Sequence, residues 1–239
     1  LRTVVLLHGF TQTRQSWRRT IAALGGRYRA LAPDLPGHGL AAERRPASFA
    51  ACAAYVRALG GERFTLVGYS MGGRVALYTA LALPGLVERL VLVGASPGIP
   101  DAVEREERRR ADDALADRIP AIGVEAFARE WGGQELFAGQ PERVAAAAHA
   151  DRLRNTPAGL AAALRGLGTG VMPPLWERLG SLAMPVTLVV GERDAKFRAV
   201  AGRMAPMISG CRVVVVAGAG HAVQLEAPEA VAAAITDTP

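Results

Sequence analysis

The sequence predicts an α/β chain: a mostly parallel central sheet flanked by helices, with a helical cap inserted late in the series. Three observations predict it. Short runs rich in Val, Leu and Thr alternate with helix-patterned stretches. Most of those runs are continuously apolar, as strands buried on both faces must be. The alternation stops from Pro97 to about Leu182, where charged and alanine-rich sequence continues without a strand.

Taken in order, Thr3 to Leu7, Tyr28 to Ala32, Phe64 to Val67, Leu90 to Val93, Val186 to Val190 and Val213 to Val216 read as strands. Helical patterns fill the gaps around Trp17 to Leu24, Phe49 to Leu59, Gly72 to Leu83, Ala195 to Met207 and Pro228 to Ile235. With 239 residues, the chain can form one large α/β domain with an insertion. We divide it into core residues 1–97, cap residues 98–182 and core residues 183–239.

Composition narrows the function. The formal charge is +6, but 27 of the 28 basic residues are arginine, a compositional bias that leaves single arginines uninformative. From Gly98 to Gly170 there are 10 basic and 12 acidic residues, so the cap is not the source of the positive charge. Aromatics make up 5% and no basic stripe interleaves with them, so nucleic acid is not an expected partner. No apolar stretch approaches the roughly 20 residues of a membrane span. The chain opens on TVVLL without a basic and apolar leader, so no export signal is expected. Cys52 and Cys211 read as apolar fillers rather than a disulfide or a metal site, which makes the cytoplasm the default compartment.

The chemistry begins at GYSMGGR, Gly68 to Arg74, where a strand pattern gives way to a helix pattern. Glycine, any residue, serine, any residue, glycine at such a junction makes a turn tight enough to require small flanking residues, and it exposes the Ser70 hydroxyl at the positive end of a helix. A glycine-rich turn with an incidental serine is the alternative. A serine hydroxyl becomes a useful nucleophile or base only when a histidine takes its proton and an acid orients that histidine. GERD after the strand PVTLVV places Asp194 at a strand's carboxyl end, and AGAGH after CRVVVV places His221 likewise. For Asp194 a helix N-cap, and for His221 a structural histidine, are the alternatives. LLHGF forms the loop after the first strand, where the N–H of Phe10 can complete an oxyanion hole with that of Met71. His8 and His38 read as loop-shaping residues, Asp34 as a turn residue and His149 as a helix-surface residue.

LLHGFTQTRQSW, PDLPGHG, GYSMGGR, GERD and AGAGH together resemble the α/β-hydrolase fold over essentially the whole chain, beginning at what is usually its third strand. Ser, Asp, His is also that fold's chain order. GYSMGGR with an arginine four residues after the serine, LRGLGTGVMPPLWERL and GERDAKF more narrowly resemble the 2-succinyl-6-hydroxy-2,4-cyclohexadiene-1-carboxylate synthases of menaquinone (vitamin K2) biosynthesis. That resemblance implies a lyase that eliminates pyruvate from a cyclohexene carrying three carboxylates. It implies Ser70, Asp194 and His221 as catalytic residues and Arg74, Arg108 and Arg152 as carboxylate-binding residues. It further implies Tyr69, Trp131 and Phe197 on the pocket wall, with core packing the alternative for Trp131. Arg74 fits independently, since it lies one helical turn beyond Ser70 and its planar fork suits a carboxylate. No metal or cofactor is implied. Two other readings stay open: a carboxylesterase or C–C bond hydrolase acting on a small anionic substrate, and a ligand receptor without turnover.

Overall fold

A computed structural model describes residues 1–236. Six strands form one sheet: β1 (Arg2–Leu7), β2 (Tyr28–Leu31), β3 (Phe64–Tyr69), β4 (Val87–Val93), β5 (Val186–Gly191) and β6 (Arg212–Val216). Their order is β2-β1-β3-β4-β5-β6 and every pairing is parallel, so the sheet is wholly rather than mostly parallel among the described residues. The chain steps outward from β1 to β2 and then returns across β1 to β3. Such a reversal opens a crevice at the carboxyl ends of β1 and β3, where ligands of open α/β sheets bind.

Alternation along each strand assigns the two faces. Val5, Leu7, Leu66, Leu90, Leu92 and Leu188 pack against α2 (Phe49–Gly60), α3 (Met71–Ala82) and α7 (Ala195–Met204). Val4, Leu6, Val67, Val91, Val93 and Val189 pack with residues of α8 (Val223–Glu226) and α9 (Pro228–Thr236), and α1 (Arg18–Ala23) lies beside α9. Truncating a fully buried member such as Leu66 to alanine should cost about 2–5 kcal/mol. The edge strand β6 departs from the expected pattern, with Val213 40% and Val215 50% exposed. Its apolar run has only one covered face.

Between β4 and β5 stand three helices and no strand: α4 (Ala102–Gly132), α5 (Glu142–Arg152) and α6 (Pro157–Leu167). α4 is broken where Gly123 takes φ 80° and ψ 164°, three residues after Pro120. That break folds Phe127 back beside Ala116, Ile119, Leu160, Ala161 and Leu164, giving this insertion a small core of its own. Its exit is pinned to its entry, because Leu175 N–H donates to Pro97 O at 2.8 Å and Trp176 Nε1–H donates to Gly98 O at 2.9 Å. No helix among the described residues is long and apolar enough to cross a membrane.

Candidate active site

Ser70 sits between β3 and α3 with φ 50° and ψ −110°, one of two non-glycine residues among those described with positive φ. Such a backbone is disfavoured by the side chain's Cβ and is held only where the surroundings enforce it. A Cβ on Gly68 would run into Gly72 O, and one on Gly72 into Leu7 O. The flanking glycines thus let the strand, the turn and β1 approach closely enough to set Ser70 above the sheet.

Asp194 and His221 come from the loops after β5 and β6. His221 Nδ1–H donates to Asp194 Oδ2 at 2.7 Å, and both side chains are buried. This bond fixes the tautomer, so Nε2 carries the lone pair. Asp194 Oδ1 accepts from Phe197 N–H at 3.1 Å. The N-cap and the histidine-orienting roles, posed as alternatives by the sequence, are filled by the two oxygens of one carboxylate. Phe197 and Tyr69 flank the imidazole, with ring centroids 4.5 and 5.2 Å away.

A cavity of about 1090 Å³ opens above these groups. Phe10, Ser70, Met71, Arg74, Arg108, Trp131, Asp194, Phe197 and His221 all line it. Arg74 is half-buried, with Nη1–H donating to Leu167 O at 2.8 Å. Burial pushes its pKa down to about 10, nearby Arg108 acts in the same direction and Asp112 opposes both, so it stays cationic at neutral pH. Arg108 has a 42% exposed side chain and donates to Asp112 Oδ1 at 2.8 Å. Trp131 meets Phe10 edge-on, with centroids 5.0 Å apart.

Two expected pocket residues lie elsewhere. Tyr69 and Arg152 are 3% and 4% exposed and are not among the cavity-lining residues. Tyr69 points from β3 into the apolar layer on the α8 and α9 side of the sheet, because alternation along the strand sends it away from α3. Arg152, at the end of α5, lies over the Phe137 ring at 5.2 Å, with its buried Nε lacking a partner. Burial lowers its pKa. Both form a layer behind His221 rather than the wall in front of it.

The other histidines shape loops. His8 Nδ1–H donates to Gly9 O at 2.9 Å and Nε2 accepts from Leu35 N–H at 2.9 Å. His38 Nδ1–H donates to Pro36 O at 3.2 Å and Nε2 accepts from Thr11 N–H at 3.3 Å. Burial holds both imidazoles below the ordinary histidine pKa, so both are neutral. Asp34 accepts from Arg14 N–H and Leu40 N–H, a turn role, and His149 is partly exposed on α5.

The sequence does not announce the supports of the loops that carry Asp194 and His221. Glu226 Oε2 accepts from Gly220 N–H and Arg193 Nη2–H, both at 2.8 Å, joining the residues next to His221 and Asp194. Arg193 Nη1–H also donates to Gly139 O at 2.7 Å in the insertion. On the other side, Asp151 and Asn155 of the insertion bind Thr13 and Thr11, which lie 138 and 144 residues earlier. No local pattern announces contacts of such separation.

The profile of the alpha/beta hydrolase family matches residues 4–234. The chain belongs to the α/β-hydrolase family. Among its relatives is the 2-succinyl-6-hydroxy-2,4-cyclohexadiene-1-carboxylate synthase of Salmonella paratyphi B, 36% identical over 96% of this chain and 90% of its own length. A Bacillus subtilis protein provisionally given the same name is 38% identical over 94% of this chain and 85% of its own. The structure of MenH from S. aureus matches with a TM-score of 0.90 and 32% identity, covering 98% of this chain and 91% of that one. A malate-bound thermophilic esterase from Thermogutta terrifontis matches with a TM-score of 0.80 and 30% identity, covering 98% and 88%.

Proposed function

We propose that the chain is a lyase that eliminates pyruvate from 2-succinyl-5-enolpyruvyl-6-hydroxy-3-cyclohexene-1-carboxylate, giving 2-succinyl-6-hydroxy-2,4-cyclohexadiene-1-carboxylate. The observation that carries this reading is one cavity that holds the His221–Asp194 pair, Ser70 and the half-buried cation of Arg74 together. A pocket for a neutral ester has little use for an arginine beside its serine, whereas a polycarboxylate needs it. The relatives named for this synthase support the same assignment.

Asp194 holds the imidazole, and His221 Nε2 accepts the Ser70 proton as the Ser70 oxygen removes a proton from the substrate ring. The electron pair left on carbon becomes the new ring double bond while the ring-carbon to oxygen bond breaks. The enolpyruvyl group departs as the enolate, takes up the proton that His221 gives back and becomes pyruvate, which leaves Ser70 and His221 as they began. Charge that develops on the succinyl carbonyl faces the N–H groups of Phe10 and Met71. The balance is redox-neutral and no acyl-enzyme forms. Arg74 and Arg108 take carboxylates, Trp131 and Phe197 shape the pocket, and Tyr69 and Arg152 back the histidine and Phe137. In this reading residues 98–182 serve as a cap over core segments 1–97 and 183–239. The partner is a small anionic molecule, in the cytoplasm.

The test is pyruvate release from the cyclohexene precursor in step with the diene product, with aryl esters turned over poorly. A second reading, a serine esterase for small anionic esters, draws on the likeness to the malate-bound esterase. Efficient ester hydrolysis without pyruvate release would select it.

A further inference from the structure

Thr11 is the other described non-glycine residue with positive φ, at 68°. Threonine is β-branched and strongly disfavours this conformation, so something must hold it. Thr11 occupies the third position of a turn that Gln12 N–H closes onto Gly9 O at 3.2 Å, a place that needs positive φ when the central peptide is flipped. Gly9 O also accepts from His8 Nδ1–H. Gly9 C=O and Phe10 N–H share one planar peptide, so fixing that oxygen aims the N–H the opposite way.

Two side chains grip the strained residue. His38 Nε2 accepts from Thr11 N–H, and Asn155 Nδ2–H donates to Thr11 O at 2.7 Å. Asn155 is buried, and the rest of its amide is spent on Arg152 O at 3.0 Å and Gly39 N–H at 3.0 Å. The partners dictate its orientation, since two are carbonyls and one is an N–H. Asp151, four residues earlier, binds the next part of the same loop through Thr13 N–H at 2.9 Å and the Thr13 hydroxyl. The insertion, together with His38 of the core, thus supplies a bond to the backbone beside the oxyanion donor.

We propose that Asn155 is a positioning residue for the oxyanion site: by holding Thr11 in the left-handed conformation, it aims the Phe10 N–H at the reacting carbonyl. Assembly of that site then depends on the seating of the insertion, which also brings Arg108 and Trp131 to the substrate. This rests on the reading of Phe10 as an oxyanion donor.

The experiment is steady-state pyruvate release by the full chain carrying Asn155→Ala, Asn155→Ser, or Asn155→Ala with Thr11→Gly, with thermal melts alongside. Asn155→Ala should lower kcat about tenfold to a hundredfold while KM stays within about twofold, because a misaimed donor is lost in the transition state rather than the ground state. Adding Thr11→Gly should return at least about threefold of kcat, since glycine takes this turn position without the Cβ penalty. A support of stability alone would lower the melting temperature and leave kcat of the folded enzyme unchanged. Should Asn155→Ala not fold, Asn155→Ser, which keeps one hydrogen-bonding group, carries the same kcat and KM test. A kcat within about twofold of wild type for the folded variant, or no recovery with Thr11→Gly, overturns the proposal. Wild-type enzyme that releases no pyruvate overturns the lyase reading instead, and the variants are then compared on p-nitrophenyl acetate hydrolysis, where a misaimed Phe10 N–H should lower kcat likewise.

Discussion

The sheet-bearing core and the helical insertion bury themselves in different ways. In the core, two apolar layers sandwich the strands, and the buried Asp194 is paired with His221. In the insertion, a small cluster around Phe127 and Leu160 lies under helices whose outer faces carry ion pairs at helical spacing, among them Glu106 with Arg109 and Arg110, and Arg109 with Asp113. Its attachments to the core include polar contacts at Thr11, Thr13, Gly39 and Arg193. A well-packed sheet is the platform on which a proton can be moved at fixed geometry. A thin, charge-dressed layer suits groups that meet an anion as it enters. Core substitutions should therefore act on kcat, insertion substitutions on KM, and Asn155 is the expected exception.

The largest effect should come from the core. Ser70→Ala and His221→Ala are each expected to lower kcat by about three orders of magnitude or more, with no further loss in the double variant, because the residues act as one unit. Asp194→Asn keeps an oxygen to cap α7 while upsetting the imidazole tautomer, so kcat should fall by about 10³ or more with the fold retained. If kcat of Ser70→Ala stays near wild type, the core is not where the proton moves.

Arg74 comes next. On the proposed reading, truncation to alanine leaves a substrate carboxylate unpaired in a half-buried site, at about 2–5 kcal/mol, or roughly 30-fold to several thousand-fold in kcat/KM. Arg74→Lys should recover part of it, because an ammonium cannot copy the two-pronged contact. A loss below about threefold would remove carboxylate recognition from this position. Arg108→Ala sharpens the contrast between regions: its side chain is more exposed and already paired with Asp112, so a rise in KM of about 3- to 30-fold with kcat nearly unchanged is expected. A fall confined to kcat would put Arg108 with the core.

Acid should reach the core through His8 and His38, whose pKa values lie below the usual 6.5 because of burial. The folded state then binds fewer protons than the unfolded chain just below pH 6.5. Their contribution to stability is complete above that value and declines as pH falls through it toward the depressed folded values. Melting temperature measured from pH 8 to 5 checks the sign, and His38→Asn should flatten the decline. The smallest effect belongs to the insertion's outer face. Arg109 and then Arg110 hold the Glu106 carboxyl down at about 2, yet these are solvent-accessible pairs on the helix surface, so Glu106→Gln should leave kcat/KM and the melting temperature essentially unchanged at physiological salt.

Much of this arrangement is written locally. Short apolar runs specify strands, because each buried strand must be apolar on both faces, and all six expected strands occur. The turn at Ser70 is legible because tight strand-to-helix geometry admits little beside glycine at positions 68 and 72. Asp194 and His221 are legible because parallel strands end on one side, so residues just past their carboxyl ends converge. Alternation along β3 alone would also have sent Tyr69 to the opposite face from α3, a signal that a reading of the wall by resemblance passes over.

What the local pattern leaves open is which distant groups meet. The seating of α4 on the rest of the chain decides which of its faces looks into the cavity, and hence that Arg108 lines it while its neighbours Arg109 and Arg110 pair with Asp113 and Glu106. Arg152 lies one residue from an aspartate that binds Thr13, yet its own place behind Phe137 follows from how α5 seats on the core. The strain at Thr11 has no sequence signature, because a threonine in HGFTQT is ordinary until Asn155 arrives from 144 residues away. Periodicity and turn chemistry act over a few residues, so the sequence by itself determined the strands, the tight turn at Ser70 and the residue types of the candidate site. Closing long loops around buried polar groups is stable where most donors and acceptors find a partner, and only the assembled tertiary structure decided which those partners are.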